Sequence, residues 1–251
     1  MARRATRIAE ARAASPNILL LDAGDSLVGD QDPALKTQGR TSVELMNRLG
    51  YDAMALGPKD LALGLQTLRA RMVETRFAFL SANALEKATG KPVATPYIVR
   101  EFAGYRVAII GLSGSEDTAK GTTEIVVQDP LAIIQALVPQ VAQQADVIIL
   151  LSHAGLEVDQ RIADTVPGIA AIVSGGPGAQ AAPIVSAVTG TPIYHADAAS
   201  AGHAGRLLGA GTLVVNPGGA LASQTWQLWS LGPEVADDPA VAAWAAEQLG
   251  Q

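Results

Sequence analysis

The 251-residue sequence contains no cysteine. This absence excludes disulfide bonds, thiolate metal ligands and a cysteine nucleophile. Histidine is scarce as well, with three residues in the chain, so a histidine-rich metal site would have few candidate ligands. Basic residues are outnumbered, with 18 Lys and Arg against 24 Asp and Glu and a net charge of -6. This balance argues against nucleic acid as a partner, because phosphate backbones select a basic surface.

Long hydrophobic runs are also lacking. One of the longest, "VIILL" at 147–151, is far shorter than the roughly 20 apolar residues that cross a bilayer. We therefore expect no membrane span. The first 17 residues are basic but lack the apolar core of a signal peptide, and their Arg/Ala pattern predicts an amphipathic helix that ends before Pro16.

The remaining pattern alternates short apolar runs with helical segments, which is typical of an α/β chain. Continuous apolar runs predict buried strands at 17–23, 51–56, 106–112, 146–152 and 169–175. Helices are predicted at 41–50, 65–75 and 129–145, the last with Asp129 as N-cap. After residue 182, short runs broken by Gly and Pro predict antiparallel strands, and a final helix covers 239–250. We expect a single domain.

Functional loops in such a sheet follow the carboxyl ends of the strands. These ends read "LDAGDSLVGD" (21–30), "LGPKDL" (56–61), "SANA" (81–84), "LSHAG" (151–155) and "VSGGPGAQ" (173–180). In order and spacing they resemble the calcineurin-like metallophosphoesterases and, within them, the catalytic domain of the 5'-nucleotidase group. The flanks resemble the same group, in "ARRATRIAEARAASPNILLLDAGDSLVGD", "QGRTSVELMNRLGYDAMALG" and "LGPEVADDPAVAAWAAEQL".

This resemblance implies a four-layer α+β fold over residues 1–251, in which a β-sandwich is flanked by helices. In 5'-nucleotidases a nucleoside-binding domain follows the closing helix, and we expect that domain to be missing from this sequence. The resemblance further implies a pair of divalent metals, Mn or Zn, that clamps a phosphate and activates a bridging water. Asp25 stands at the position of the bridging carboxylate and His153 at the strand-end histidine.

The other positions of the metal motifs depart from the family. Pro58 stands where the family has a metal-binding asparagine, and Lys59 where it has a histidine that assists the transition state. Gly176 and Gly178 stand where it has two histidine ligands. The family's first strand, with an Asp-x-His motif, precedes the first helix, at which this sequence begins. Asp25 and His153 alone leave most of either coordination shell to water, so we expect no catalytic metal pair.

Each of these residues also has a purely structural interpretation. Asp25 could cap the turn after its strand, and His153 could be hydrogen-bonded at a strand end. Lys59 either pairs with Asp25 in place of a metal charge or is a solvated loop residue. His195 and His203 match no family ligand and are interpreted as surface or loop residues.

Three functions remain open. The first is a degenerate, non-catalytic metallophosphoesterase-fold protein that acts as a structural or interaction subunit, since a sheet without its first strand exposes backbone groups that another segment can pair with. The second is a metal-dependent phosphomonoesterase resembling the 5'-nucleotidases. The third is a small-anion binder that uses Lys59 and the glycine loop "SGGPGAQ" (174–180). The family resemblance implies a periplasmic or extracellular location.

Overall fold

A computed structural model describes residues 1–29, 33–114, 123–176, 182–196 and 205–250. Its helices are α1 (Ala2–Ala14), α2 (Arg40–Leu49), α3 (Pro58–Leu61), α4 (Gly64–Glu74), α5 (Pro130–Val141), α6 (Leu156–Thr165) and α7 (Pro239–Leu249). Its strands are β1 (Leu21–Asp22), β2 (Ala53–Ala55), β3 (Ala78–Leu80), β4 (Ala84–Glu86), β5 (Tyr97–Phe102), β6 (Tyr105–Leu112), β7 (Ile125–Val127), β8 (Val147–Ser152), β9 (Ala171–Ser174), β10 (Ile184–Val185), β11 (Pro192–His195), β12 (Leu207–Val215) and β13 (Leu221–Ser230).

Two sheets form the centre of the fold. The smaller is parallel, with the order β1-β2-β3, and the larger has the order β10-β11-β9-β8-β6-β5. In the larger sheet β6, β8, β9 and β11 run parallel, while β5 and β10 pair antiparallel at its two edges. Two further two-stranded ribbons pair β4 with β7 and β12 with β13.

Three apolar layers hold these elements together. Helices α1, α2, α4 and α7 cover one face of the smaller sheet, and α5 and α6 cover the outer face of the larger one. Between the sheets, small and branched side chains interlock: Ala53, Ala55, Leu80, Ile109 and Leu151. The order helix, sheet, sheet, helix confirms the predicted four-layer α/β sandwich.

Most predicted elements are present at their expected places. The N-cap is confirmed, since Asp129 Oδ1 accepts the backbone N–H of Ala132 at 2.7 Å. The strand predicted at 17–23 is shorter in the structure, where only Leu21–Asp22 pair as a regular strand. The prediction of antiparallel strands after residue 182 is confirmed for β10 with β11 and for β12 with β13, but β11 also pairs parallel with β9, which was not predicted. Strand β5 and helix α6 were not predicted.

No helix within the described ranges is long and apolar enough to cross a membrane.

Candidate functional site

Asp25 and His153 meet at the ends of two strands from opposite sheets. Asp25 lies in the loop after β1 and His153 directly after β8, and Nε2 of the imidazole is 3.3 Å from Oδ2 of the carboxylate. The other ring nitrogen, Nδ1, is 2.6 Å from the carbonyl oxygen of Ala23. Because a carbonyl only accepts, Nδ1 carries the hydrogen and donates it. Nε2 therefore points at Asp25, and both side chains are largely shielded from solvent.

The chain reaches this position through a tight, left-handed turn. Asp25 itself has φ 59°, and the preceding Gly24 has φ 102°. A Cβ on Gly24 would lie 2.8 Å from His153 Nδ1 and 2.9 Å from the backbone nitrogen of Gly57. Only glycine fits there, since it has no side chain and tolerates positive φ. The "AGDS" motif thus lets the Asp25 loop approach the His153 loop closely.

Asp60 is the main residue of the site that sequence reasoning missed. Its carboxylate is fully buried and accepts three backbone N–H groups, from Asp25 at 2.7 Å, Leu27 at 3.0 Å and Gly57 at 2.9 Å. Burial and the negative charge of Asp25 raise the pKa of Asp60 to about 7. The sequence signal was weak: Pro58 marks the first helical position and Asp60 the third, where an acidic side chain can accept the N–H of the N-cap residue, but Gly57 has no side chain to complete a capping box.

Pro58 and Lys59 contribute backbone rather than side-chain chemistry. Pro58 occupies the first position of α3, where a missing N–H costs no hydrogen bond, and it has no side-chain donor for a metal. The backbone N–H of Lys59 donates to Asp25 Oδ1 at 2.8 Å. The side chain of Lys59 is exposed, and its positive charge helps to lower the pKa of Asp25. The hydrogen bond between the two residues comes from the backbone N–H of Lys59.

Gly176 follows β9 and packs against the histidine. It has φ 78°, and a Cβ placed on it would lie 3.2 Å from the carbonyl oxygen of His153 and 3.4 Å from its Nε2. A side chain at position 176 would therefore lie next to the imidazole ring of His153, whose Nε2 faces Asp25. Gly178 lies outside the described residues, as does His203.

The interpretation of His195 as a surface or loop residue is wrong. His195 ends β11, is 3% exposed, and its Nε2 is 3.4 Å from the carbonyl oxygen of Gly176. Parallel pairing of β11 with β9 carries it to the same end of the sheet as Gly176. The sequence offered no signal for this, because the Gly- and Pro-rich texture after residue 182 favoured an antiparallel arrangement.

The pKa shifts of Asp25 and His153 have the opposite directions expected of an ion pair. Burial acts to raise the pKa of Asp25, but the hydrogen bond and positive charge of His153, together with the N–H and charge of Lys59, lower it below its ordinary value. Burial acts to lower the pKa of His153, and the hydrogen bond and negative charge of Asp25 raise it above its ordinary value. The two groups therefore favour carboxylate and imidazolium together.

A second buried acid, Asp159, supports the loop that contains His153. Ser152 Oγ donates to Asp159 Oδ1 at 2.6 Å and accepts the backbone N–H of Ala154 at 3.1 Å. Asp159 lies in the first turns of α6, and burial raises its pKa to about 6. The backbone on both sides of His153 is thus tied to a helix that packs on the larger sheet. Asp159 gave no signal in the sequence beyond being an acidic residue near a helix start.

The described residues do not fit a metal pair. Asp25 Oδ2 and His153 Nε2 are spaced as two ligands of one ion are, since donors about 2.1 Å from a metal lie roughly 3 to 3.5 Å apart. A second ion would need further donors, and Pro58 and Gly176 have none, while Lys59 brings a cation. Within the part of the chain that the structure describes, no group of three or more His, Cys, Asp or Glu side chains could hold a metal.

Comparisons with known proteins identify relatives of this chain. No protein-family model matches the sequence. The bovine 5'-nucleotidase is 35% identical over 186 residues, which cover 70% of this chain and 32% of the relative, and the probable 5'-nucleotidase of Treponema pallidum is 36% identical over 174 residues, which cover 65% and 28%. The chain thus spans about a third of the length of the curated relatives it matches.

The fold is shared with solved structures over nearly the whole chain. The calcineurin-like phosphoesterase YfkN of Bacillus subtilis matches with a TM-score of 0.82 and 25% identity, over 100% of this chain and 88% of that one. This likeness extends through both sheets and their helices, and it agrees with the sequence relatives. The chain belongs to the calcineurin-like metallophosphoesterases, in the group of the 5'-nucleotidases.

Proposed function

We propose that this chain is a non-catalytic member of its family that serves as an interaction subunit. One observation carries the proposal, namely that both carboxylate oxygens of Asp25 are engaged by protein donors. His153 holds Oδ2 through Nε2, and the backbone N–H of Lys59 holds Oδ1. A carboxylate that bridges two metals uses its oxygen lone pairs for them, and here the imidazole of His153 and the backbone amide of Lys59 face those oxygens.

The surrounding residues support the same proposal. Pro58 begins a helix, and the left-handed backbone of Gly176 packs against His153. Neither supplies a donor atom from a side chain. Asp60 has its carboxylate occupied by three backbone N–H groups, which leaves it a supporting role for the Asp25 loop. Because its family resemblance implies export, we also propose a periplasmic or extracellular location for this chain.

A metal-dependent phosphomonoesterase is the second candidate. It is favoured by the identity of 35% to a protein named 5'-nucleotidase and by the 3.3 Å spacing of Asp25 Oδ2 and His153 Nε2, which suits one ion. This function needs metal ligands beyond those two residues. A small-anion binder that uses Lys59 is a third possibility, and one measurement separates it from the others.

The experiment measures hydrolysis of p-nitrophenyl phosphate and of AMP, with Mn²⁺, with Zn²⁺ and with a chelator. The double variant Asp25→Asn, His153→Gln is the matched control, because activity that it retains comes from a contaminant. Our proposal predicts that wild type and control give the same residual rate under every condition. Metal-dependent turnover that the control lacks would overturn it, and thermal stabilisation by inorganic phosphate without turnover would favour the anion binder.

A further inference from the structure

Two serines end neighbouring strands directly above the buried acid Asp159. Ser152 is the last residue of β8 and Ser174 the last residue of β9, and the two are register partners in the parallel ladder. Side chains at paired positions point to the same face of a sheet. Helix α6 covers this face, and its Asp159 accepts the Ser152 hydroxyl at Oδ1. Asp159 therefore lies beneath the ends of both strands.

Two buried oxygens of this cluster lack hydrogen bonds. Within the described part of the chain, neither Asp159 Oδ2 nor Ser174 Oγ has a hydrogen-bond partner. The Ser174 hydroxyl is nevertheless close enough to lower the pKa of Asp159. The large majority of buried polar atoms in native proteins are hydrogen-bonded. One O–H donated by Ser174 to Asp159 Oδ2 would satisfy both atoms.

Ser174 leads into the glycine loop, whose first residues pack on the Asp25 and His153 site. The N–H of Gly175 donates to the carbonyl oxygen of Ser152 at 2.7 Å. A Cβ added at Gly175 would lie 2.8 Å from the Cβ of Ala23 and 3.1 Å from His153 Nδ1. A hydrogen bond from Ser174 to Asp159 would therefore hold the backbone that encloses the imidazole ring.

The charge of Asp159 is poorly accommodated in comparison with that of Asp60. Three backbone N–H groups donate to Asp60, whereas Asp159 accepts one hydroxyl group. Burial raises the pKa of Asp159 to about 6, although the hydroxyls of Ser152 and Ser174 and the positive charge of His153 lower it. The acid and the carboxylate form of Asp159 are therefore both accessible near pH 6.

Few other titratable groups surround Asp159. Helix α5 and strand β9 pack against α6 and contain no titratable side chain, while β11 contributes Tyr194 and His195. On α6 itself, Glu157 and Arg161 are exposed, and Asp164 accepts the hydroxyl of Ser186. The charge that acts on Asp159 is that of His153.

We propose that Asp159 is a pH-sensitive link between the His153 loop and the glycine loop. In the carboxylate form, Oδ1 accepts the hydroxyl of Ser152 and Oδ2 that of Ser174, which holds the glycine loop against the site. When a proton from water binds the carboxylate, these charge-assisted hydrogen bonds become neutral ones of roughly half the strength. The glycine loop is then held less firmly. This inference goes beyond the proposed function, because it applies to a catalytic and to a non-catalytic chain.

Nuclear magnetic resonance on the full 251-residue chain tests the link. The carboxyl ¹³C signal of Asp159 and the amide signal of Gly175 are followed from about pH 5 to pH 8. We expect the Asp159 carboxyl to titrate with a midpoint of about 6 and the Gly175 amide to follow with the same midpoint. Protection of the Gly175 amide from hydrogen exchange, corrected for the intrinsic rate, should be several-fold greater above this midpoint than below it.

Two neighbouring groups titrate in a similar range and are separated from Asp159. The titration is repeated in His153→Gln, which removes the imidazole beside the glycine loop. Asp60, whose pKa is raised to about 7, is followed through its own carboxyl signal. The Gly175 amide should still follow Asp159 in the His153→Gln protein.

Variants of the two serine–aspartate pairs on α6 supply matched controls. In the His153→Gln background, Asp159→Asn has the shape of the neutral acid and no proton to lose, so the Gly175 amide should no longer follow a midpoint near 6. Ser174→Ala should raise the midpoint of Asp159, because it removes a hydroxyl that lowers its pKa. Asp164→Asn and Ser186→Ala alter the other pair, joined at 2.7 Å, and should leave the Gly175 curve unchanged.

Three results would overturn the inference. The first is an Asp159 carboxyl that does not titrate between about pH 5 and pH 8, and the second is a Gly175 amide that does not follow it. The third is an unchanged Asp159 midpoint in Ser174→Ala, which keeps the test decisive if Asp159→Asn fails to fold. Metal-dependent phosphatase activity would overturn the proposed function and leave these titrations standing, so the two failures are distinguishable.

Discussion

Asp60 holds Asp25 in place through the backbone, with Oδ2 accepting the Asp25 N–H at 2.7 Å. The same carboxylate ties down Leu27 and Gly57, so one buried side chain joins the loops after β1 and β2. The loop that presents Asp25 is thus built by an acid that forms no hydrogen bond with His153 within the described residues. Its negative charge nevertheless helps to raise the pKa of His153, so Asp60 contributes to both the framework and the electrostatics of the site.

Replacement of Asp60 by Ala should therefore destabilise the protein. Three backbone N–H groups lose their acceptor, and a buried donor without a partner costs about 1 to 3 kcal/mol. We expect a fall in the free energy of unfolding of about 2 to 4 kcal/mol, measured by urea denaturation. Asp237→Ala is the control, since Asp237 is exposed and forms one long contact with Arg3. Equal stability of Asp60→Ala and wild type would contradict the role given to Asp60.

The pairing of His153 with Asp25 makes a prediction about its titration. The ¹⁵N chemical shifts of the His153 ring should titrate with a pKa above the ordinary value of about 6.5. In Asp25→Asn the attraction is lost while burial remains, so the pKa should fall below that of wild type. The same pKa in both proteins would show that the two side chains do not interact in solution.

The same pair should contribute to stability within a defined range of pH. His153 has a raised pKa in the folded protein, so its contribution is present below about 6.5 and is lost as the pH rises through the folded value. Asp25 has a lowered pKa, so its contribution is present above about 3.9 and is lost as the pH falls through the folded value. The difference in unfolding free energy between wild type and His153→Gln should be greatest between these limits. A difference that does not vary with pH would contradict the ion pair.

How much of this site was predictable from the sequence depends on the kind of contact. Asp25 and His153 were expected at one site from the family resemblance and from their place at the carboxyl ends of strands. Their strands lie in opposite sheets, so the contact itself depends on how the two sheets face each other. The position of His195 did not follow, since it depends on the parallel pairing of β11 with β9. Asp60 was missed because a buried carboxylate that serves only backbone N–H groups resembles any acidic residue near a helix start.

Gly176 provides a test of how much space there is for a side chain beside His153. Gly176→Ala should destabilise more than Gly190→Ala, because both glycines have φ near +78° but only position 176 has atoms within 4 Å of an added Cβ. The backbone cost shared by both is about 1 to 2 kcal/mol. Thermal melts measure the difference between the two variants. An equal effect of the two substitutions would mean that the His153 loop gives way, and Gly176→His could then be accommodated.

Elemental analysis tests most directly whether an ion pair, and not a pair of metals, occupies the Asp25 site. Protein purified without chelator, and again after incubation with Mn²⁺ and Zn²⁺ followed by desalting, should contain metal far below one equivalent per chain. The Asp25→Asn, His153→Gln variant should contain the same residual amount. About two equivalents in wild type, absent from that variant, would contradict the account and require metal ligands that the described residues do not provide.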